Sequence, residues 1–505
     1  MNRIHLKSWQ MLWAATLAAL TLFLALYNLE YFPPTWYDEG VHLLVAKKLA
    51  LAGKYRFGPA VGPTVFFPVA AAFRIAGVEL LSARLVMVGY LLLCVAAFYT
   101  LARRFGGWKV ATVATLLLLS SPGINLMRWG RQVLGEVPAT LFFLLGAWLW
   151  IKTLDRPTDA SRNGRLVLVG MLLGLAILTK NQFALLLPAW LLLWLANRWY
   201  YRLARHADFA LPVLVSIFVA MAWYVGQRFI LAAGKQLASQ NVQEWSDALS
   251  RGFFTLSPQR MLDAIQFLTS QDTFYAWLLP AVLYAVALSQ RRSKEGLGWA
   301  LLASVTVTWL GWFLVLSVGW PRYAFLPLVI GALLVARLFH DLTAGFHIPV
   351  ADLFKMSDGR WDVRLAGKLA LLALLLVMIL RPLQGRFTEV IGNSDDTPQQ
   401  MARYIVEHLP PQAEIETYDP EVCFLSGRDC HFPPNNIIDA SIKYAWYNGP
   451  LPSELYDLRE YGASYLLIGD FGRWVHIYDP TIVESDYELM VSIGTYELYR
   501  VKQNR

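Results

Sequence analysis

The sequence predicts a polytopic α-helical membrane protein with a small water-soluble α/β domain at its C-terminal end. Three observations predict it. Of 505 residues, 56% are hydrophobic and only 16% are charged, against about 25% charged residues in soluble domains. Apolar runs near the ~20 residues that cross a hydrocarbon core alternate with short charged loops. After Arg381-Pro382 that alternation stops and short β-type runs appear. Twenty Trp and 23 Tyr suit two aromatic belts at membrane interfaces. The net charge of +8 does not point to nucleic acid, because the Lys and Arg lie mostly in the short loops, where they act as a topology signal.

About eleven spans are expected, over roughly residues 10–30, 80–102, 108–123, 137–153, 166–180, 183–197, 209–230, 274–290, 298–317, 322–339 and 366–384. The first is too long for a cleaved signal peptide, and Asn28-Leu29-Glu30 lacks the small residues of a cleavage site. Basic clusters fall in alternate loops: Arg3 and Lys7, Arg103-Arg104 to Lys109, Lys152 to Arg165, Arg198 to Arg205, Arg291-Arg292 to Lys294, and Lys355 to Arg364. This asymmetry makes the N-terminus cytoplasmic, in a multi-pass protein of the cytoplasmic (inner) membrane. An odd number of spans then puts the tail outside. The expected division is a transmembrane domain over 1–385 and an extracytoplasmic α/β domain over 386–505. In the tail, Thr397 to Leu409 reads as an amphipathic helix. Glu414–Tyr418, Tyr465–Ile468, Leu489–Ile493 and Tyr496–Val501 read as strands. Cys423 and Cys430 would close a small disulfide loop in an oxidising space, whereas Cys94 sits in an apolar run as a packing residue.

The first outer loop, 31–79, opens with Trp36-Tyr37-Asp38-Glu39-Gly40. Two adjacent carboxylates near a membrane boundary are costly to desolvate, so they call for a cavity, an ion or a partner charge. His42 to Leu51 reads as an interfacial amphipathic helix ended by Gly53, and 64–77 as a second one. Other outer loops place Arg128, Arg131, Glu136, Lys180 and Arg322-Tyr323 on the same face. Singly these read as helix caps and snorkelling anchors. Gathered at one boundary, they suit a lipid-linked phosphate, with Arg and Lys neutralising it and a carboxylate deprotonating an incoming hydroxyl or amine.

At these residues the chain resembles the GT-C superfamily of membrane glycosyltransferases, which use polyprenyl-phosphate sugars. Within it, the resemblance is to the branch of protein O-mannosyltransferases and lipid A aminoarabinose transferases. Four stretches carry it: Asp38-Glu39-Gly40 with His42, Ala46, Leu49 and Gly53-Lys54-Tyr55; Arg131, Glu136 and Pro138; Gly174-Leu175-Ala176 with Thr179-Lys180 and Pro188; and Arg322-Tyr323 with Pro327. They lie in the family's order over residues 36–327. The resemblance implies a GT-C-like membrane domain and transfer of a sugar to an acceptor (protein, lipid or glycan) by inverting displacement at the anomeric carbon. It implies Asp38 as general base, aided by Glu39 or a metal, with Glu136 supporting the same site. Arg131, Lys180, Arg322 and Tyr323 are implied to bind the donor phosphate. Glu136 stands where many relatives carry Asp, and Gly62-Pro63-Thr64-Val65 where several carry Pro-Pro-Leu. The Trp-Trp-Asp motif of oligosaccharyltransferases in the same superfamily does not occur.

The alternative is a transporter or flippase of lipid-linked sugars. It would place its charges near the midplane of paired halves, whereas here they cluster at one boundary. The residues establish no cofactor with certainty, and Asp38, Glu136 and His42 could offer ligands to a divalent metal ion. The outer loop 231–273, with Glu244, Asp247 and Asp272, could close as a lid.

Overall fold

The computed structural model describes residues 2–53, 55, 61–156, 161–230, 254–270, 273–347, 363–447 and 449–502. Lys54, Lys355 and Arg360 lie outside the described residues, as do Glu244, Asp247 and Asp272 of the expected lid. The chain divides into two compact units. One comprises Met1–Tyr27, Phe57–Val65 and Met87–Val390, the other Asn28–Arg56, Phe66–Val86 and Ile391–Arg505. The helix Val363–Gly392 runs through Pro382 and past residues 385 and 386, so the chain enters the second unit there at Ile391.

Eight helices among the described residues are long and apolar enough to cross a membrane, or up to nine if Pro258–Thr269 and Thr273–Ser289 form one bent span. Each of the eleven expected spans falls on helix, and the lower count by length has local causes. Residues 80–102 and 108–123 belong to one run, Leu80–Ser120, interrupted where Gly107 leaves helical geometry at φ 71°, ψ −173°. Leu186–Ala196 has only 11 residues, about 17 Å of rise against a core of ~30 Å. It is extended by a 3-10 turn, Asn181–Leu185, and a π turn, Asn197–Tyr201. Thr273–Ser289 has 17 residues and counts only with its bent neighbour.

In the first unit, buried Trp150 meets Trp190 at 5.3 Å and Phe209 at 5.6 Å, both edge-on. Arg162–Thr179 packs against Ala207–Ile230 because Gly170 and Gly174 open its face. A Cβ on Gly170 would meet the Pro212 carbonyl oxygen at 2.7 Å, and one on Gly174 the Val219 side chain at 2.8 Å. Small residues four apart are the usual device for close helix approach in lipid. The motif glycine at 174 is thus a packing residue.

The second unit contains a five-stranded sheet in the order β2-β1-β3-β5-β4. The strands are β1 Ile415–Thr417, β2 Cys430–His431, β3 Tyr465–Ile468, β4 Tyr487–Ile493 and β5 Tyr496–Val501. β1 pairs in parallel with β2 and β3, whereas β5 is antiparallel to both β3 and β4. The helix Thr397–His408 appears where its pattern predicts it and buries Met401, Ala402 and Ile405 with Leu467 and Leu498 of the sheet. Cys423 and Cys430 are bonded, tying the helix Pro420–Ser426 to β2. Two first-loop helices occur as expected, Tyr37–Ala52 and Pro63–Ala76. Gly53 ends the former at φ 64°, a left-handed position that glycine takes without steric cost. Arg74 donates to the Ala50 carbonyl at 2.9 Å and to that of Leu49 at 3.3 Å, satisfying the same helix end.

Candidate active site

In the membrane unit the charged side chains meet on one carboxylate. Glu136 is the first residue of the helix Glu136–Asp155, where the macrodipole favours an anion. Its Oε1 lies 2.8 Å from Lys180 Nζ and 3.9 Å from Arg322 Nε. All three side chains are buried. Lys180 occupies the extended C-cap between Arg162–Thr179 and the 3-10 turn that follows it. Arg322 sits in the 3-10 turn Pro321–Ala324 and lies over the Trp320 ring at 4.8 Å and the Tyr323 ring at 6.0 Å. The Tyr323 carbonyl accepts from Trp309 Nε1 at 2.7 Å, which fixes this turn to the neighbouring helix Lys294–Val315.

Three residues without sequence assignments hold Lys180 in place. Gly62 N–H donates to the Thr179 carbonyl at 3.2 Å, and the Thr64 and Thr179 hydroxyls bond at 2.6 Å. A Cβ on Gly62 would overlap the Leu178 carbonyl oxygen, and one on Gly135 would stand 2.9 Å from the Thr179 carbonyl oxygen and 3.1 Å from Lys180 Cδ. The available signal was Gly62-Pro63-Thr64 itself, which stands where relatives carry a different motif.

Arg131, expected to bind the donor phosphate, belongs to the same unit. It is fully buried, and its guanidinium donates to the Leu24 carbonyl at 3.3 Å and the Tyr27 carbonyl at 2.6 Å. Leu24 lies in the last turn of the first helix, Asn2–Leu26, and Tyr27 just follows it, so Arg131 caps that helix end.

In the second unit, the first turn of Tyr37–Ala52 separates the acidic motif into different tasks. Both oxygens of Glu39 accept from Arg84, at 3.0 Å from Nε and 2.6 Å from Nη2. Arg84 also donates to the Leu29 carbonyl at 2.7 Å. Both partners are about fully buried. Glu39 is therefore anchored to Arg84. Gly40 admits the helix Pro420–Ser426, since a Cβ there would stand 2.7 Å from Glu421 Cα. His42 is buried with its ring edge-on to Phe66 at 5.7 Å. Asp38 is the motif's partly exposed carboxylate.

Among the described residues no group of three or more His, Cys, Asp and Glu could hold a metal ion. Glu136 faces Lys180 and Arg322, and His42 packs on an aromatic ring.

The fold is shared with several solved structures. It is similar to that of ArnT from Cupriavidus metallidurans in the apo state, over 98% of each chain, with a TM-score of 0.64 at 15% identity. The structure of that protein bound to undecaprenyl phosphate gives 0.64 at 14% identity, over 97% of this chain and 98% of that one. The oligosaccharyltransferase AglB from Archaeoglobus fulgidus, in complex with an inhibitory peptide and a dolichol-phosphate, gives 0.58 at 15% identity, covering 98% of this chain and 74% of that one. Residues 60–225 match the family described as dolichyl-phosphate-mannose-protein mannosyltransferase. That stretch includes Arg84, Arg131, Glu136 and Lys180, while Asp38 and Arg322 lie outside it. No curated protein matches the chain by sequence.

Proposed function

We propose that the protein transfers a sugar from a polyprenyl-phosphate donor to an acceptor hydroxyl or amine at the outer face of the cytoplasmic membrane. The observation that carries this reading is the pair of buried cations, Lys180 and Arg322, on Glu136 in a fold shared with proteins solved with undecaprenyl phosphate and dolichol-phosphate. Glu136 holds both cations in place in a buried setting, and Lys and Arg are the side chains suited to an anionic phosphate. Lys180 acts as a point charge and Arg322 as a planar donor to the phosphate oxygens. Tyr323 borders the same phosphate.

Asp38 takes the acceptor proton as the acceptor oxygen or nitrogen forms its bond to the anomeric carbon. The bond from that carbon to the donor phosphate oxygen breaks, and polyprenyl phosphate leaves, its charge stabilised by Lys180 and Arg322. Displacement in one step inverts the anomeric centre. The N-terminus is cytoplasmic and residues 386–505 face the extracytoplasmic space, where an oxidising environment favours the Cys423–Cys430 bond.

The test is transfer from a panel of radiolabelled polyprenyl-phosphate sugars in membranes. Wild type should consume one donor, and Lys180→Met should raise the donor KM by about tenfold or more, the loss of one charge-assisted contact. A panel left untouched by wild type, or an unchanged KM in the variant, contradicts the reading.

A further inference from the structure

We infer that Phe471, in the C-terminal domain, is a positioning residue for Asp38. The inference rests on the proposed role of Asp38 as base. The helix Tyr37–Ala52 begins at Trp36, which is extended at φ −130°, ψ 165° and provides no side-chain cap. The packing of the neighbouring side chains therefore bears directly on how the turn that carries Asp38 is placed.

That turn is held by rings. Tyr37 stacks on Phe471 with centroids 3.7 Å apart and planes 21° from parallel. Trp36 meets the same ring edge-on at 5.9 Å. Tyr37 also lies 5.5 Å from Tyr418, which is itself 5.6 Å from Phe471. Phe471 is fixed in turn by its own backbone. The buried carboxylate of Asp419 accepts from Gly469 N–H at 2.8 Å and from Phe471 N–H at 3.0 Å.

Helix geometry makes these contacts directional. Successive side chains turn by about 100°, so Tyr37 and Gly40 share the face toward the C-terminal domain. Glu39 points to the far side, where Arg84 holds it, and Asp38 projects between the two. Phe471 on one face and Arg84 on the other fix the helix against rotation about its axis, and so fix the direction of Asp38. A displacement of about 1 Å at a reacting group can cost on the order of a hundredfold in rate.

The test compares Phe471→Leu, which keeps apolar bulk but removes the ring, with Phe471→Tyr, which keeps the ring. Two readouts are taken: transfer kinetics on the donor that wild type consumes, and hydrogen exchange of residues 37–43 against the strands Tyr465–Ile468 and Tyr496–Val501. Phe471→Leu should lower kcat by about tenfold or more with donor KM within about twofold. It should also speed exchange at 37–43 while leaving the strands protected, and Phe471→Tyr should restore both readouts. The inference is overturned by unchanged exchange at 37–43, by faster exchange with unchanged kcat, or by loss of protection throughout the sheet, which would make Phe471 a plain core residue. Failure of wild type to consume any donor is a different result. It removes the transferase reading and, with it, any base for Phe471 to position.

Discussion

Among the described residues of the second unit, Arg84 and Glu39 form the most fully desolvated ion pair, with side chains 0% and 1% exposed. Breaking such a pair by removing one partner leaves a buried charge and costs about 3–5 kcal/mol. Arg84→Met should therefore lower the midpoint of thermal unfolding of the purified protein sharply. Glu39→Gln, which keeps an acceptor for Arg84, should lower it less; equal midpoints for wild type and Arg84→Met would dismiss the pair as an anchor. The acidic motif was legible in the sequence, but its division of labour was not. Glu39 and Asp38 are chemically near-identical neighbours, and the residue that distinguishes them lies 45 positions further along the chain. The bonds of Arg131 were hidden for a similar reason, since the carbonyls of Leu24 and Tyr27 that accept from it lie more than a hundred residues earlier.

Among elements, the contacts at glycine decide how the chemistry-bearing turns sit. Gly62 lies against the Leu178–Thr179 backbone that presents Lys180. Gly62→Ala must displace that backbone, because the opposing atom is a carbonyl oxygen and not the end of a flexible side chain. The expected result is a raised donor KM, read in the transfer assay, with kcat affected less. An unchanged KM would mean that the turn adapts without moving Lys180. Elements with strong periodicity were legible: the helix Thr397–His408 and the strands Tyr465–Ile468 and Tyr496–Val501 occur where the pattern puts them. β2 was not, since two residues show no alternation. The spans were legible in position, including the break at Gly107 that separates 80–102 from 108–123. What apolar length did not reveal is that 183–197 holds an α-helix of only 11 residues, Leu186–Ala196, between a 3-10 turn and a π turn.

On the scale of the whole molecule, the C-terminal domain carries carboxylates whose titration ties its stability to pH. Burial pushes Asp419 up to about 6, against the hydrogen bonds from Gly469, Phe471 and Gly472. Burial, followed by the charge of Asp419, raises Glu421, and burial raises Glu416, which bonds to His431 and Tyr456. A carboxyl whose pKa rises on folding binds its proton more tightly in the folded state. The destabilisation from its buried charge is therefore fully present above the folded value and is relieved as pH falls through it. Thermal unfolding should thus occur at higher temperature at about pH 5.5 than at about pH 7.5, and Asp419→Asn should shrink that difference. An undiminished difference would assign it to other groups.

The central claim is that this chain is a polyprenyl-phosphate-sugar transferase whose base is Asp38, and the most direct measurement compares wild type with Asp38→Asn on the donor that wild type consumes. The substitution keeps size and removes the charge. The account predicts a fall in kcat of about a hundredfold or more, the low end of general-base effects, with donor KM little changed because Lys180 and Arg322 are intact. A variant that transfers sugar at the wild-type rate would contradict it and leave Asp38 as a charge at the start of a helix.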